Sequence, residues 1–362
     1  QLDRLLERYP AVEDLYPASG MQLGLIFHTL FDESGAAYAT QLYMDFDGHF
    51  ELPLFKKAWA RVVEKHAVFR TAFAVLENNI TLQVVLEQIE MLWYTEDWRG
   101  LDSKDQEESF ENYRRRDKAR GFDFSVAPLM RMSVLRLAEN NYRWLWTHHH
   151  SLLDGWSVPI VLSDLFSYYT ALYRDLQIET SHNASYRQYF AWLATQSQQM
   201  AQDFWRDQLG GIESATRLGI DLDVNARTTS KGKKEITLDE QYLRALKQRI
   251  QSAGVTLNTL VQCAWAYLLH YYSGEKMVVF GQTVSGRPSE VAGIEHMVGL
   301  FINTLPIRVD IDPQQTLTDW LAVMHEAQVE RERYAYLPLV QIQAQSQIPA
   351  GQRLFNSIVI FE

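Results

Sequence analysis

The sequence contains one cysteine, Cys263, among its 362 residues. A single cysteine cannot form an intramolecular disulfide, and a cysteine-based zinc site needs several such ligands. There is no apolar run of about eighteen residues, as a membrane span requires, and the first ten residues lack the apolar core of a signal peptide. These absences predict a protein of the reducing cytoplasm without a membrane segment, in which Cys263 is a buried and inert thiol.

Long basic segments are lacking as well. The chain has 34 lysines and arginines against 45 aspartates and glutamates, which gives a net charge of −11. Its basic clusters at 114–116 and 231–234 are short and are predicted to be solvated surface. Nucleic-acid binding relies on a concentrated positive face, so nucleic acid is not expected as the main partner. The 18 glycines and 10 prolines are too few for long flexible linkers.

Apolar residues are plentiful, at 47% of the chain, and aromatic residues make up 12%, so a sizeable core is expected. Apolar side chains at helical spacing predict an amphipathic helix over 55–63, and alternation predicts strands over 80–86 and 130–136. Further helices are predicted at 157–174, 186–195, 200–209, 240–253, 257–272 and 317–332, with strands at 142–148, 277–283, 301–310 and 355–361.

Helices and strands occur in both halves of the chain. The fold class is therefore predicted to be α/β, with an N-terminal lobe at 1–175 and a C-terminal lobe at 176–362. The polar stretch 175–185 is the expected connection between them. The first residue is not methionine and the chain stops in an apolar run, so we expect it to be cut from a longer protein.

Three consecutive histidines, at 148–150, lie at the end of a predicted strand and precede Asp154 and Gly155. In an extended backbone His148 and His150 point to one face and His149 to the other, so the three rings cannot converge on one metal ion. No metal site is predicted. A histidine at a strand end can accept a proton near neutral pH, because its ordinary pKa is about 6.5. The pattern therefore favours proton transfer over a merely structural histidine.

The string His149-His150-Ser-Leu-Leu-Asp154-Gly155 resembles the active-site signature of condensation domains of nonribosomal peptide synthetases. Six other segments resemble the remaining motifs of that family and follow the family's order: Pro17–His28, Lys65–Phe73, Tyr186–Trp192, Val298–Arg308, Tyr336–Leu339 and Leu354–Asn356. A single HxxxD pattern is weak evidence, but the ordered set covers the chain from about residue 16 to its end.

The resemblance implies a V-shaped fold like that of chloramphenicol acetyltransferase, with an active-site tunnel between two lobes. It also implies an acyltransferase that joins a donor aminoacyl or peptidyl thioester to the α-amine of an acceptor aminoacyl thioester. The expected partners are an upstream and a downstream peptidyl carrier protein and an adjacent adenylation domain. No cofactor is expected on the domain itself, since the substrates arrive on the phosphopantetheine of the carriers.

By the same resemblance, His150 is the catalytic residue that orients the amine or accepts its proton. Gly155 keeps the tunnel open beside it, with an N–H that could face the developing oxyanion. His149 is expected to be structural. Asp154 is expected to form a buried ion pair that shapes the loop, with Arg70 as the candidate partner.

Three further residues are candidates for the tunnel wall: Asn303, Ser285 and Trp156. For Asn303 the alternative is a turn residue at a strand edge. For Ser285, in the loop Ser285–Pro288, the alternative is an ordinary surface turn. For Trp156, packing in the core is favoured over contact with substrate.

Two other functions remain open at this point. A catalytically silent, condensation-like docking scaffold would need no intact histidine motif, and an epimerisation-type relative would need a partner glutamate within a Gly-His-Gly-Arg type string, which is absent. The opening motif around Gln22 is more similar to domains that join two L-configured residues than to those taking a D-configured donor. The family usually continues several tens of residues beyond Glu362, so the second lobe is expected to be incomplete or shortened.

Overall fold

The computed structural model describes residues 2–9, 11–32, 35–177, 185–218, 232–349 and 351–361. The chain forms two compact units. Unit 1 consists of Gln1–Gln196 and Arg287–Ile302, and unit 2 of Ser197–Gly286 and Asn303–Glu362.

These units differ from the predicted lobes at two places. The segment that follows the polar stretch stays in unit 1, because Tyr186 and Phe190 pack against Tyr16, with ring centroids 6.0 and 4.8 Å apart. The segment Arg287–Ile302 returns to unit 1, where the ring of Phe301 lies 5.0 Å from that of Tyr186. The lobe limits of 1–175 and 176–362 stay a prediction. Residues 178–184 of the expected connection lie outside the described residues, as does Lys231 of the second basic cluster.

Unit 1 contains helices and strands in alternation. Within the described residues its helices are α1 (Leu2–Arg8), α2 (Gly20–Leu30), α3 (Leu52–Lys65), α4 (Ser103–Ala119), α5 (Ser157–Tyr173) and α6 (Tyr186–Thr195). Its strands are β1 (Val12–Pro17), β2 (Ala39–Asp47), β3 (Thr71–Val75), β4 (Thr81–Leu86), β5 (Trp93–Asp97), β6 (Met130–Ala138) and β7 (Asn141–His149).

Two sheets organise the strands of unit 1. The larger sheet has the order β2-β7-β6-β5, in which only β5 and β6 pair in parallel, and the smaller has the order β1-β4-β3. Strand β7 is central in the larger sheet, between β2 and β6. Its carboxyl end carries the histidine cluster, so the sheet fixes the position of that end.

Helix α3 shows why the sequence folds as it does. Pro53 lies in its first turn, where a missing N–H costs nothing. The predicted apolar face of residues 55, 58, 59, 62 and 63 is buried, and Trp59 packs against Trp144 and Trp146 of β7. This aromatic core lies directly behind the strand that carries the histidines.

Unit 2 is also mixed. Among its described residues are α7 (Gln198–Gln208), α8 (Glu240–Ser252), α9 (Leu257–Ser273), α10 (Leu317–Glu332) and α11 (Leu339–Gln343), and strands β8 (Met277–Val284), β9 (Asn303–Asp310) and β10 (Ile358–Val359). Strand β8 is central in the sheet, antiparallel to β9 and parallel to β10. The expected α/β class is thus confirmed for both units.

Helix α9 of unit 2 begins and ends at residues that favour helix termini. The side chain of Thr256 caps α9, and Gly274 ends it with a left-handed φ of 73°. Cys263 is buried on α9, and burial raises the pKa of its thiol to about 12, in agreement with an inert role. The final strand is shorter than predicted, since only Ile358–Val359 pairs with β8. Within the described residues, no helix is long and apolar enough to cross a membrane.

A buried ion pair fastens helix α4 to the larger sheet of unit 1. Asp117 is 3% exposed, and its carboxylate accepts a hydrogen bond of 2.5 Å from Nε of Arg131 and one of 2.6 Å from the hydroxyl of Thr147. Arg131 also donates to the backbone carbonyl of Gly121 at 2.9 Å. The buried charges of Asp117 and Arg131 neutralise each other, so removal of either side chain would leave the other charge buried without a counter-ion.

We therefore expect Asp117→Ala to lower the free energy of unfolding by about 3–5 kcal/mol, because it leaves the Arg131 guanidinium buried without its counter-ion. Glu108→Ala, at an exposed position of the same helix, is the control and should change stability by less than about 0.5 kcal/mol. Chemical denaturation measures both values. Equal effects of the two substitutions would contradict the expectation.

Candidate active site

The histidine cluster lies where strand β7 ends and the chain turns toward α5. His149 is the last residue of β7, and His150 begins the turn. The backbone N–H of His150 donates to the carbonyl of Tyr38 at 2.9 Å, and its Nδ1 lies 2.9 Å from the carbonyl of Leu153. A carbonyl only accepts, so Nδ1 carries the proton and Nε2 keeps its lone pair. His150 is half-buried, so this nitrogen belongs to a ring that is not sealed in the core.

His149 is fully buried, and both of its ring nitrogens have partners. Its Nε2 lies 2.9 Å from the hydroxyl of Thr29, and its Nδ1 lies 2.8 Å from the hydroxyl of Ser151. The ring of Phe124 meets it edge-on at 4.7 Å. Burial lowers the pKa of His149 to about 4, with a further lowering by His150. His149 is therefore neutral at neutral pH and holds the turn, as expected for a structural residue.

His148 is buried on the opposite face of β7, with its ring 4.5 Å from that of Trp146. Burial lowers its pKa to about 3, with smaller contributions from His150 and His149. The three adjacent histidines thus point to different surroundings. Within the described residues, no group of three or more histidine, cysteine, aspartate or glutamate side chains has a geometry that could hold a metal ion.

Asp154 joins the turn to the segment Arg287–Ile302. Its Oδ1 accepts hydrogen bonds from the N–H and the hydroxyl of Ser157, at 2.9 and 2.8 Å, and lies 3.2 Å from Nη2 of Arg287. Its Oδ2 accepts from the N–H of Phe301 at 3.1 Å, while its own N–H donates to the carbonyl of Gly299 at 3.2 Å. Both carboxylate oxygens of Asp154 are thus occupied by contacts that hold the loop, so Asp154 is a structural carboxylate.

The expected ion pair of Asp154 exists, but the predicted partner is wrong. Arg70 pairs instead with Glu13, and its Nε donates to the carbonyl of Val63 at 3.1 Å. It is held there because it ends the short 3-10 helix Ala67–Arg70, between α3 and β3. The partner is Arg287, whose pKa burial lowers and Asp154 raises.

The expected core position of Trp156 is also wrong, because Trp156 is 56% exposed. Its indole N–H donates to the carbonyl of Glu295 at 3.1 Å, and its ring lies 5.7 Å from the Arg287 guanidinium. The segment Arg287–Ile302 thus fixes one side of the indole and leaves the other side open. Gly155, beside it, is exposed in the turn, and its role toward an oxyanion stays a prediction.

The two remaining candidates lie in unit 2. Asn303 is 8% exposed at the start of β9, and its amide donates to the carbonyls of Ala335 and Leu337 at 2.7 and 2.8 Å. Both amide hydrogens are therefore used within the unit, which agrees with the alternative of a structural strand-edge residue. Ser285 is exposed just after β8. Its place in a tunnel wall stays a prediction.

Sequence reasoning missed three contributors to the site. Arg287 is expected only in a loop, with no connection to Asp154. Gln22 is expected only as part of the opening motif, and Thr29 is not among the expected residues. Gln22 is 1% exposed, and its Nε2 donates to the carbonyl of Ser151 at 3.1 Å. A polar residue on the buried face of a helix is the sequence signal that points to Gln22 and Thr29.

The comparison with protein families agrees with this geometry, since the model of the condensation domain matches residues 12–362. Two proteins of the linear gramicidin synthase of Brevibacillus parabrevis are 40% and 41% identical to this chain, over 97% and 100% of its length. The chain spans only 7% and 5% of the lengths of these two relatives.

Solved structures agree on the fold. The starter condensation domain of rhizomide synthetase RzmA matches with a TM-score of 0.76 and 20% identity, over 99% of this chain and 80% of that one. The first condensation domain of the calcium-dependent antibiotic synthetase matches with a TM-score of 0.73 and 17% identity, over 96% and 80%. The chain has the α/β fold of these condensation domains. It belongs to the condensation-domain family of nonribosomal peptide synthetases.

A double-mutant cycle tests the reassigned ion pair. We expect Asp154→Asn and Arg287→Gln to show a coupling free energy of at least about 1 kcal/mol in unfolding measurements, because the two groups share a buried contact. Asp154→Asn and Arg70→Gln should be additive within about 0.5 kcal/mol. Coupling of Asp154 to Arg70 and not to Arg287 would reverse the assignment.

The buried histidines predict a loss of stability in acid. The pKa of His148 is lowered in the folded state, so the unfolded chain binds a proton that the folded chain does not, and stability falls as pH drops below about 6.5. We expect His148→Phe to reduce the slope of the free energy of unfolding against pH, between pH 6 and 5, by about 1 kcal/mol per pH unit. His49→Ala, at an exposed histidine, is the control. Chemical denaturation at several pH values measures the slope, and an unchanged slope in His148→Phe would contradict the expectation.

Proposed function

We propose that this chain forms an amide bond between a donor aminoacyl or peptidyl thioester and the α-amine of an acceptor aminoacyl thioester. The amine nitrogen attacks the thioester carbonyl, the new C–N bond forms and the C–S bond breaks. The amine loses one proton and the departing sulfur takes one, so no outside reactant is needed. The membership of the condensation-domain family supports this reaction class.

The observation that carries the proposal is the state of His150. Its Nδ1 is committed to the carbonyl of Leu153, which leaves Nε2 as the acceptor nitrogen of a half-buried ring. An α-amine has a pKa of about 7.7–8.0 and attacks only when it is unprotonated. A lone pair at Nε2 can accept a hydrogen bond from that amine and then its proton as the tetrahedral intermediate forms.

His149 and Asp154 support this role without taking part in proton transfer. His149 has both ring nitrogens occupied and a pKa lowered to about 4, so it neither accepts nor donates a proton at neutral pH. Asp154 lies on the other side of the turn and is bonded to Ser157, Arg287 and the N–H of Phe301. The two residues fix the backbone on which His150 and Gly155 stand.

The partners in this proposal are two peptidyl carrier proteins, one for each thioester, and an adjacent adenylation domain that loads the acceptor. The substrates are carried on the phosphopantetheine of the carriers, and the domain itself supplies only side chains and backbone. Both aminoacyl groups are expected to be L-configured. The cytoplasmic setting inferred from the sequence remains a prediction.

His150→Ala tests the proposal directly. With loaded donor and acceptor carrier domains, we expect single-turnover amide formation to fall by about 10²-fold or more, because the amine loses its acceptor. His49→Ala removes an exposed imidazole from the same unit and should keep the parental rate. The assay follows the transfer of the donor acyl group to the acceptor carrier. Parental product formation by His150→Ala would contradict the catalytic role of His150, and a parental chain that forms no product would favour a silent docking scaffold.

A further inference from the structure

Helix α2 contacts the residues on both sides of His150. Two of its side chains, Gln22 and Thr29, are seven positions apart and therefore lie on the same face, two turns from each other. They are 1% and 7% exposed. Gln22 reaches Ser151, directly after His150, and Thr29 reaches His149, directly before it.

The contact of Thr29 has a defined direction. The backbone N–H of Ser151 donates to Nδ1 of His149 at 3.1 Å, so this nitrogen is unprotonated and Nε2 carries the ring hydrogen. The hydroxyl of Thr29 donates its own hydrogen to the carbonyl of Leu25 at 2.8 Å. Thr29 therefore accepts the hydrogen bond from Nε2 of His149 and selects one tautomer of the ring.

The amide of Gln22 is equally constrained. Its Oε1 accepts from the N–H of Ser19 at 2.8 Å, as part of the capping box of α2. Its Nε2 donates to the carbonyl of Ser151 at 3.1 Å and to Oε1 of Gln83 at 2.8 Å. Gln83 in turn donates to the carbonyl of Pro17 at 3.1 Å. Each polar atom of the Gln22 amide is thus used, and strands of the smaller sheet fix its orientation.

We propose that Gln22 and Thr29 are positioning residues for amide formation, which hold Ser151 and His149 so that the turn between them aims Nε2 of His150 at the acceptor amine. This inference rests on the proposed function. Neither side chain touches the reacting atoms in this assignment. On the opposite side, the N–H of His150 is bonded to Tyr38, a non-glycine residue with a left-handed φ of 56°, which marks a constrained backbone next to the turn.

Thr29→Val removes the hydroxyl and keeps the shape of the side chain. Because a small displacement of a catalytic group strongly lowers the rate, we expect kcat for amide formation to fall about tenfold while KM for the loaded acceptor carrier stays within about twofold. Thr29→Ser retains the acceptor oxygen and should restore at least half of the parental kcat. Thr170→Val makes the same exchange at an exposed position of α5 and should leave kcat unchanged.

A second measurement does not depend on activity. With ¹⁵N-labelled histidine, the parental chain should show His149 with its hydrogen on Nε2, and Thr29→Val should shift that signal or mix the tautomers, while Thr29→Ser should preserve it. A second variant, Gln22→Glu, keeps the oxygen that caps α2 and removes the donor to Ser151, so we expect a comparable fall in kcat in the folded variant. Circular dichroism checks its folding, because the new carboxylate is buried beside the acceptor oxygens of Gln83 and Ser151.

The outcomes separate the two proposals. If His150→Ala is inactive while Thr29→Val and Gln22→Glu are folded and keep the parental kcat, the positioning role is wrong and the proposed function stands. If Thr29→Ser is as impaired as Thr29→Val, packing rather than the hydrogen bond is responsible, and the inference is also overturned. If His150→Ala itself keeps the parental rate, the catalytic role of His150 fails, and if the parental chain forms no amide, the proposed function fails, whatever the tautomer of His149.

Discussion

Asp154 is a charged group with almost no exposure to solvent, and a buried carboxylate is tolerated only when its charge and lone pairs are compensated. Here Arg287 compensates the charge, while the hydroxyl and N–H of Ser157 and the N–H of Phe301 occupy the remaining directions. These partners come from the start of α5 and from a segment far along the chain. The requirement to satisfy one carboxylate therefore determines how the histidine turn closes.

The three consecutive histidines show how surroundings assign different tasks to one residue type. The rings of His148 and His149 are buried, and burial lowers their pKa values to about 3 and 4. His150 lies one residue beyond the end of β7, where the chain leaves the sheet and its ring remains partly accessible. The end of β7 thus separates the neutral, structural imidazoles of His148 and His149 from that of His150, whose lone pair is available. Thr29 of α2 is hydrogen-bonded to His149 and so connects the helix to that boundary.

Local signals were sufficient to predict most of the fold. The apolar face of α3, the helix over 257–272 and the strands over 130–136 and 142–148 are each predicted from residues close in sequence. The sequence also indicated the histidine motif and the buried state of Asp154. It could not indicate the partner of Asp154, because Arg70 and Arg287 are both arginines beside motif residues and only the three-dimensional path distinguishes them. Trp156 is expected in the core because a tryptophan is usually buried, whereas the structure leaves it 56% exposed with its indole N–H bonded to the carbonyl of Glu295.

Because residues 287–302 belong to unit 1, unit 1 cannot be completed during translation until these residues have been synthesised. The first part of unit 1 ends at Gln196, and the segment that supplies Arg287 and the Phe301 N–H emerges only after the first part of unit 2 has been made. Until then the nascent chain holds Asp154 without its counter-ion, and closing so long a loop carries an entropic cost. The histidine turn is therefore completed only after residues 197–286 have been synthesised, and a ribosome that pauses before residue 287 leaves Asp154 without its contacts to Arg287 and Phe301.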